Sequence, residues 1–302
     1  MENKIYRKYP FWCLAGPLLG FLAIQGAVRF AIQFAIELPY ALQAYAGIMR
    51  DASASGAVSM EEILDAYLQA MEPALQLISA HRVEIAAAAS LATVILTGIL
   101  FAKDRKLEKK AGVILPEKAH AGRYWMLAVF GFAGSLAATC LMTMMQAAFY
   151  DSLYQQTSAE TYSSPFVIQL ICLGFAIPLA EEFMFRGILY RRYRERQNFW
   201  YSAICSSILF SFMHVSVTQM FYTFLLGLML AYVYEKFGSF CAPLALHIFV
   251  NTGSVIFTET GLFLLLVQDP VILAGATIGG AFICSVMFVL IQKTGGKDNY
   301  IR

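Results

Sequence analysis

The chain has 302 residues, of which 59% are hydrophobic and 14% charged, and its formal net charge is +2. Soluble domains carry about 25% charged residues and about 45–50% apolar ones. This chain therefore lacks the polar surface of a water-soluble protein of its size. A charge near neutrality also excludes a basic surface for nucleic acid. The composition predicts an integral membrane protein in contact with the lipid bilayer.

Apolar runs that approach membrane-spanning length recur along the chain. A spanning helix needs about 20 predominantly apolar residues, and eight runs are candidates. They cover residues 11–31, 85–102, 124–149, 166 to about 190, 199–213, 217–234, 239–257 and 271–291. The run at 261–267 is too short to cross, so we expect a re-entrant or interfacial piece there.

The segment between the first two runs, residues 37–83, is more polar. Ser59 precedes Glu62 by three residues, which is the pattern of a capping box at a helix start. Apolar residues then follow at helical spacing. The pattern predicts an amphipathic helix on the outer surface or, with equal weight, a helix packed on the bundle.

Lysine and arginine residues indicate the orientation of the chain. Residues 103–110 hold five of them and residues 191–196 hold four, whereas residues 151–164 hold none. Cytoplasmic loops are enriched in Lys and Arg. We therefore predict an all-α bundle of about eight spans with both termini in the cytoplasm.

Two adjacent acids and an arginine lie inside the fourth run. Glu182 and Arg186 are four residues apart, so they can pair along one helical face. Glu181 points about 100° away and is left for another partner. Ionisable groups cost at least a few kcal/mol at the bilayer centre, so they are usually paired or functional.

Two of the four histidines also lie in or at the end of apolar runs. His214 follows the fifth run, and His247 lies in the seventh, four residues before Asn251, so that an imidazole and a carboxamide share one face. At 1.5 Å per residue a straight helix would carry His214 about 27 Å from Arg196, far deeper than Glu181. Either an interfacial segment follows Arg196, or the fifth and sixth helices do not fully cross.

These groups are suited to hydrolysing an amide. A carboxylate in a low-dielectric site can take a proton from water, and an imidazole can help to hold that water. A second imidazole and a carboxamide can stabilise an oxyanion. Alternatively, Glu181, His214 and His247 could ligate zinc and leave one position for water. The spacing leaves both chemistries open.

Three motifs follow one another in membrane segments: Glu181-Glu182-x-x-x-Arg186, Phe210-x-x-x-His214 and His247-x-x-x-Asn251. Their order resembles the CPBP family of intramembrane proteases, which comprises the type II CAAX prenyl endopeptidases and their bacterial relatives. The resemblance covers about residues 165 to 255.

The resemblance implies a fold and roles for these residues. The fold would be a helical bundle with a conical catalytic cavity open to the cytoplasm. Glu181 would activate water with His214 as its partner, and Glu182 and Arg186 would support the site. His247 and Asn251 would stabilise the oxyanion. The family is often labelled metalloprotease, and a metal-independent glutamate mechanism is also argued for it, so zinc stays open as a cofactor.

We therefore predict an intramembrane endopeptidase of a bacterial plasma membrane. Its substrate would be a peptide or membrane protein rather than a prenylated protein. Residues 1–123 would form an N-terminal membrane region with two spans, an extracytoplasmic amphipathic segment and a basic cytoplasmic loop, and residues 124–302 the protease core. The alternatives are a non-catalytic immunity or regulatory protein of the same fold and a proton-coupled transporter.

Overall fold

The fold is helical throughout the part of the chain that the structure describes. The computed structural model describes residues 9–55, 59–113 and 116–294, and every regular element in them is a helix. Eleven principal helices are numbered here in chain order. Their bounds are α1 Pro10–Ser55, α2 Met60–Ala80, α3 Arg82–Lys110, α4 Trp125–Ala148, α5 Ser152–Thr161, α6 Phe166–Arg194, α7 Phe199–Ser211, α8 Val217–Phe237, α9 Cys241–Glu259, α10 Leu262–Val267 and α11 Pro270–Gln292.

Within the described residues, seven helices are long and apolar enough to cross a membrane: α1, α3, α4, α6, α8, α9 and α11. The predicted helical membrane bundle is thus confirmed. The eighth predicted span, α7, has only 13 residues, which is about 20 Å of helix against a hydrocarbon core of about 30 Å. The count of eight crossing helices is therefore not confirmed.

The short α7 also bears on the depth of His214. The helix ends at Ser211, and His214 lies in the turn that leads into α8. One of the two explanations for this depth was that the fifth and sixth helices do not fully cross: the fifth, α7, is too short to cross, whereas the sixth, α8, is long enough.

The first helix is much longer than the apolar run that predicted it. α1 has 46 residues, about 69 Å, which is more than twice the thickness of a hydrocarbon core. Its C-terminal part and α2 form a helical hairpin, because α2 packs back along α1. The helix predicted after Ser59 is present as α2, whereas residues 37–55, for which no helix was predicted, continue α1.

The predicted capping box at the start of α2 is confirmed. The Glu62 backbone N–H donates to Ser59 Oγ at 3.2 Å, and the Ser59 N–H donates to the Glu62 carboxylate at 2.8 Å. The hydrogen bond from the Ser59 backbone holds the pKa of Glu62 below its usual range. This cap separates α2 from α1 and allows the chain to reverse direction.

Buried ion pairs join α3, α6 and α8 at the end of the bundle that carries most of the basic residues. Arg192 Nε lies 2.7 Å from the Asp104 carboxylate, and Arg194 Nε lies 2.7 Å from Glu235. Arg191 contacts Glu108, whose side chain is only 5% exposed. We call this end of the bundle the basic end. Its charged residues hold α3, α6 and α8 in position relative to one another, in addition to favouring one orientation of the chain in the membrane.

Glycines allow α4 to approach α9 closely. A Cβ on Gly131 would lie 2.5 Å from Phe249 Cβ and 3.1 Å from the backbone nitrogen of Val250. Small residues permit such contact between membrane helices. The contact holds the stretch of α9 between His247 and Asn251 against the bundle.

Candidate active site

The helix that carries the two glutamates departs from regular α-helical geometry. α6 contains π-helical stretches at Cys172–Ala176 and Phe183–Tyr190, on either side of Glu181 and Glu182. Such bulges occur frequently at functional sites. The spacing of apolar residues gave no signal for them.

Pro178 and the first π-helical stretch together leave one backbone carbonyl of α6 available. The Ile177 N–H donates to the Cys172 carbonyl rather than to that of Leu173. The next residue, Pro178, has no N–H to donate. The Leu173 carbonyl instead accepts a hydrogen bond from Asn251 Nδ2 at 3.0 Å. The predicted site residue Asn251 therefore ties α9 to α6, and its amide retains a second N–H.

Glu182 and Arg186 form the pair that their spacing predicted. Arg186 Nη1 lies 3.0 Å from Glu182 Oε1, and both side chains are fully buried. The guanidinium also donates from Nη2 to the Gly227 carbonyl at 3.2 Å and lies 4.5 Å from the centre of the Phe210 ring. This pair forms the base of the site.

Gly227 is a site residue that the sequence reasoning missed. A Cβ at this position would lie 2.8 Å from Ser207 and 3.2 Å from Arg186 Nη2. A larger residue would therefore displace the buried arginine. An isolated glycine inside an apolar helix was the available signal.

His247 lies between the two glutamates. Its Nδ1 is 2.9 Å from Glu182 Oε1, and its Nε2 is 3.7 Å from Glu181 Oε2. Adjacent residues on a helix diverge by about 100°, and the two ring nitrogens face in different directions. One imidazole can therefore contact both carboxylates. His247 is thus the partner of Glu181, a contact that the sequence reasoning did not predict.

His214 approaches the site from the turn after α7. Its ring packs edge-on against Phe210, with 5.2 Å between centroids, and the His247 ring meets the same phenyl ring at 5.7 Å. His214 Nδ1 lies 3.3 Å from the Phe210 carbonyl oxygen. The side chains of Glu181, His214 and His247 line one cavity.

The turn that carries His214 is held by a residue outside the spans. The Asp151 carboxylate accepts from Tyr154 N–H and from both the backbone N–H and Oγ1 of Thr218, at the start of α8. The hydrogen bond from Tyr154 contributes most to lowering the pKa of Asp151. Ser216 Oγ caps the same helix by accepting from the Gln219 N–H. Asp151 and Ser216 thus fix the exit of this turn.

The cavity has a volume of about 1090 Å³, which exceeds the roughly 300–1,000 Å³ of typical small-molecule pockets. Side-chain exposure rises from 3% at His247 and 16% at Glu181 to 47% at Arg82, which pairs with Glu160. The site therefore lies at the inner end of the cavity, and Arg82 and Glu160 lie near its mouth.

Tyrosines supply further hydrogen-bonding groups to the cavity wall. Tyr162 Oη lies 2.7 Å from Ser254 Oγ. Burial raises the pKa of Tyr154 to about 12, and its hydroxyl, like that of an ordinary tyrosine, is protonated at neutral pH. Such hydroxyls can bind the backbone of a peptide without adding charge.

The cavity lies at the end of the helices opposite the basic end. The part of α3 that lines the cavity is its N-terminal turn, which includes Val83, while the basic residues 103–110 lie at the C-terminal end of the helix. On α6 it reaches Leu173, far from the arginines at 191–196. On α9 it extends to Thr258, away from the end that follows α8. The sequence predicted that both the cavity and the basic ends of the helices face the cytoplasm. Because they lie at opposite ends of the bundle, only one of them can do so.

The zinc-binding alternative does not fit the arrangement of the side chains. Among the residues that the structure describes, no group of three or more His, Cys, Asp and Glu side chains could hold a metal ion. Glu181, His214 and His247 line the same cavity, but they are not close enough together to hold one metal ion.

Comparison with known proteins bears on the same part of the chain. Residues 163–253 match the family model of type II CAAX prenyl endopeptidase Rce1-like proteins. The resemblance is confirmed. All three motifs lie inside this segment, which begins just before α6 and ends within α9.

A curated protein of Bacillus subtilis (strain 168) is also similar. It is named "Putative membrane peptidase YdiL", and it is 26% identical over 89 residues, which are 30% of this chain and 36% of that protein. The alignment thus spans about a third of each protein. No solved structure gives a significant match. The comparisons support a protease-type hydrolase in a multi-pass membrane protein, at low identity.

Proposed function

We propose that the chain is an intramembrane endopeptidase that hydrolyses a peptide bond in a membrane-associated protein or peptide. The observation that supports this most directly is the contact of one buried imidazole with two carboxylates at the inner end of a large cavity. Glu181 faces the cavity, while Glu182 is buried behind it and paired with Arg186. The residues that carry the family resemblance surround this contact.

In the proposed reaction, Glu181 takes a proton from water and the resulting hydroxide adds to the carbonyl carbon of the peptide. We assign the orientation of the water to His214, which lines the same cavity. The proton then passes from Glu181 to the departing amine as the carbon–nitrogen bond breaks. The net reaction consumes one water and yields a carboxylic acid and an amine.

We assign the oxyanion to His247 and Asn251. This role requires a hydrogen on each ring nitrogen of His247, and the carboxylates of Glu181 and Glu182 beside the ring would balance the resulting positive charge. In this role Nδ1–H donates to Glu182, and Nε2–H, which lies 3.7 Å from Glu181 Oε2, donates to the oxyanion as it forms. The second amide N–H of Asn251 supplies the other donor. Each such donor contributes roughly 3 kcal/mol to stabilising a transition state.

Residues 124–302 carry the proposed chemistry, and residues 1–123 complete the cavity wall through residues of α1, α2 and α3. We propose a bacterial plasma membrane as the location. The concentration of Lys and Arg at the basic end favours placing that end in the cytoplasm. The cavity then opens to the outer face, and substrates enter from that side.

The orientation is tested by labelling single cysteines with a membrane-impermeant maleimide, in a background where the six native cysteines are alanine. Ala159→Cys, in α5 near the cavity mouth, is expected to react in intact cells. Lys106→Cys, at the basic end, is expected to react only after permeabilisation. The reversed pattern would place the cavity on the cytoplasmic face.

The proposed activity is tested by N-terminal proteomics of membranes that contain the wild-type chain or Glu181→Gln at equal abundance. New peptide N-termini are expected with the wild-type chain and not with the variant, because glutamine cannot accept the proton of water. If no terminus depends on Glu181 while the variant supports the cellular role of the wild-type chain, a non-catalytic function is correct instead.

A further inference from the structure

The hairpin formed by the C-terminal part of α1 and by α2 is strongly acidic. Residues 37–80 contain six acidic residues and a single basic one, Arg50. The hairpin follows the part of α1 that is long enough to cross a bilayer, since about 20 residues of helix span the hydrocarbon core. It therefore projects beyond the bilayer at the cavity end of the bundle. The mechanism proposed above uses none of its charges.

The same hairpin has an exposed apolar face. The stripe on each helix consists of large side chains that are between 41% and 60% exposed. On α1 these are Leu38, Leu42, Tyr45 and Met49, and on α2 they are Leu64, Leu68 and Leu75. Their spacing of three, four and seven residues places each set on one helical face.

Both stripes lie on the same side of the hairpin. Ala44 of α1 and Ala74 of α2 are buried, at similar distances from the connection between the helices. Each residue turns a helix by about 100°. Measured in the direction of the chain around the helix axis, the centre of the exposed stripe lies about 100–130° from the buried alanine on each helix. We take these two alanines as the contact point between the helices; because the helices run in opposite directions, equal rotations from that contact bring both stripes to one side. They form a single surface, which we call the hairpin face.

A row of carboxylates borders the hairpin face. Glu61, Asp65 and Glu72 follow one another at spacings of four and seven residues, next to the stripe on α2. All three residues are exposed. A ligand on this face would meet apolar side chains and a line of negative charge along one edge.

The hairpin face is continuous with the cavity. Leu75 belongs to the stripe on α2 and also lines the cavity, as do Ile78 and Ser79 in the next turn of that helix. A chain bound along the face can therefore pass over Leu75 into the cavity that contains Glu181. The hairpin face and the candidate active site are therefore connected by one continuous surface.

We infer that the hairpin face binds cationic amphipathic peptide segments and delivers them to the cavity. Charge decides between the possible occupants of the face. A second copy of this chain would place like charges opposite each other, and an anionic lipid surface would be repelled by the same carboxylates. A peptide with apolar residues on one side and Lys or Arg beside them matches both the stripe and the acidic row. The substrate role rests on the proposed peptidase function, whereas the binding does not.

The test measures peptide binding to the full chain carrying Glu181→Gln, in nanodiscs of zwitterionic phosphatidylcholine. The probe is a fluorescent helix of Leu and Lys about five turns long, and a Leu and Glu helix of the same pattern is the control. The Lys peptide is expected to bind above the level of empty nanodiscs, and more weakly at higher salt. Replacing Glu61, Asp65 and Glu72 with lysine is expected to weaken binding about tenfold, since each exposed ion pair contributes modestly.

The apolar part of the face has its own matched variants. Leu42→Ser together with Leu68→Ser is expected to weaken binding, whereas Leu77→Ser, on the other side of Ala74, is expected to leave it unchanged. Equal binding of the Glu peptide, or binding insensitive to the lysine substitutions, would overturn the inference. So would peptide signal equal to that of empty nanodiscs. Binding is measured with Glu181→Gln and does not depend on catalysis. If the Lys peptide binds to this variant but the wild-type chain hydrolyses no peptide, the proposed function is overturned and the inferred binding is not.

Discussion

Glu181→Gln in the purified protein is expected to lower kcat/KM for a cleaved peptide by about 10²–10⁴-fold, the usual contribution of a general base. Glutamine has nearly the same shape as glutamate, so the cavity wall and the position of His247 are retained. What is lost is the ability to take a proton from water. The measurement is hydrolysis of a peptide identified by the proteomic experiment, in detergent or nanodiscs.

The matched control for this variant is Glu160→Gln. Glu160 also lines the cavity, and it pairs with Arg82 near the mouth. Its loss is expected to change kcat by less than about fivefold, because the pair lies near the mouth of the cavity and partly exposed ion pairs contribute about 0–1 kcal/mol. If Glu181→Gln keeps most of the wild-type rate and thermal stability, Glu181 is not the base.

Single substitutions in the Glu182–Arg186 pair are expected to destabilise the fold by about 3–5 kcal/mol, because each leaves one uncompensated charge in a fully buried site. The variants are Glu182→Leu and Arg186→Met, and the measurement is reversible unfolding in mixed micelles. Arg82→Met is the control for removing an arginine, since its side chain is 47% exposed, and we expect a loss of at most about 1 kcal/mol.

The double variant separates the structural role of the pair from its positioning role. Replacing both charges with apolar residues of similar volume is often neutral or stabilising, so stability is expected to return. Activity is not expected to return, because His247 Nδ1 loses the carboxylate that holds it at 2.9 Å. A double variant that regains both stability and hydrolysis would show that Glu182 does not position His247.

The sequence predicted those features that depend on neighbours along one helix. Of the eight spans predicted from the apolar runs, seven correspond to helices that are long enough to cross a bilayer. The four-residue spacing of Glu182 and Arg186 predicted their ion pair. Ser59 and Glu62 predicted the start of α2. Each of these interactions lies within about one turn of helix or follows from composition, so no tertiary packing is needed to foresee it.

Contacts between distant helices were beyond the reach of sequence reasoning. His247 meets Glu182 across 65 residues, and Asn251 meets Leu173 across 78. These contacts depend on the π-helical geometry of α6, on Pro178 and on the close approach of α4 to α9 at Gly131. The sequence assigned Glu181 to His214, but the packing of α9 brings His247 between the two glutamates instead.

By itself, then, the sequence determined a helical membrane bundle and the residues that form its polar centre, because a scarcity of charge makes each buried ionisable group conspicuous. Only the tertiary structure decided which of these groups touch, which end of the bundle the cavity occupies and how far α1 projects. The physical reason is that helical periodicity fixes the face of a residue on its own helix. The depth, rotation and partner of that face are set by side chains packed on other helices.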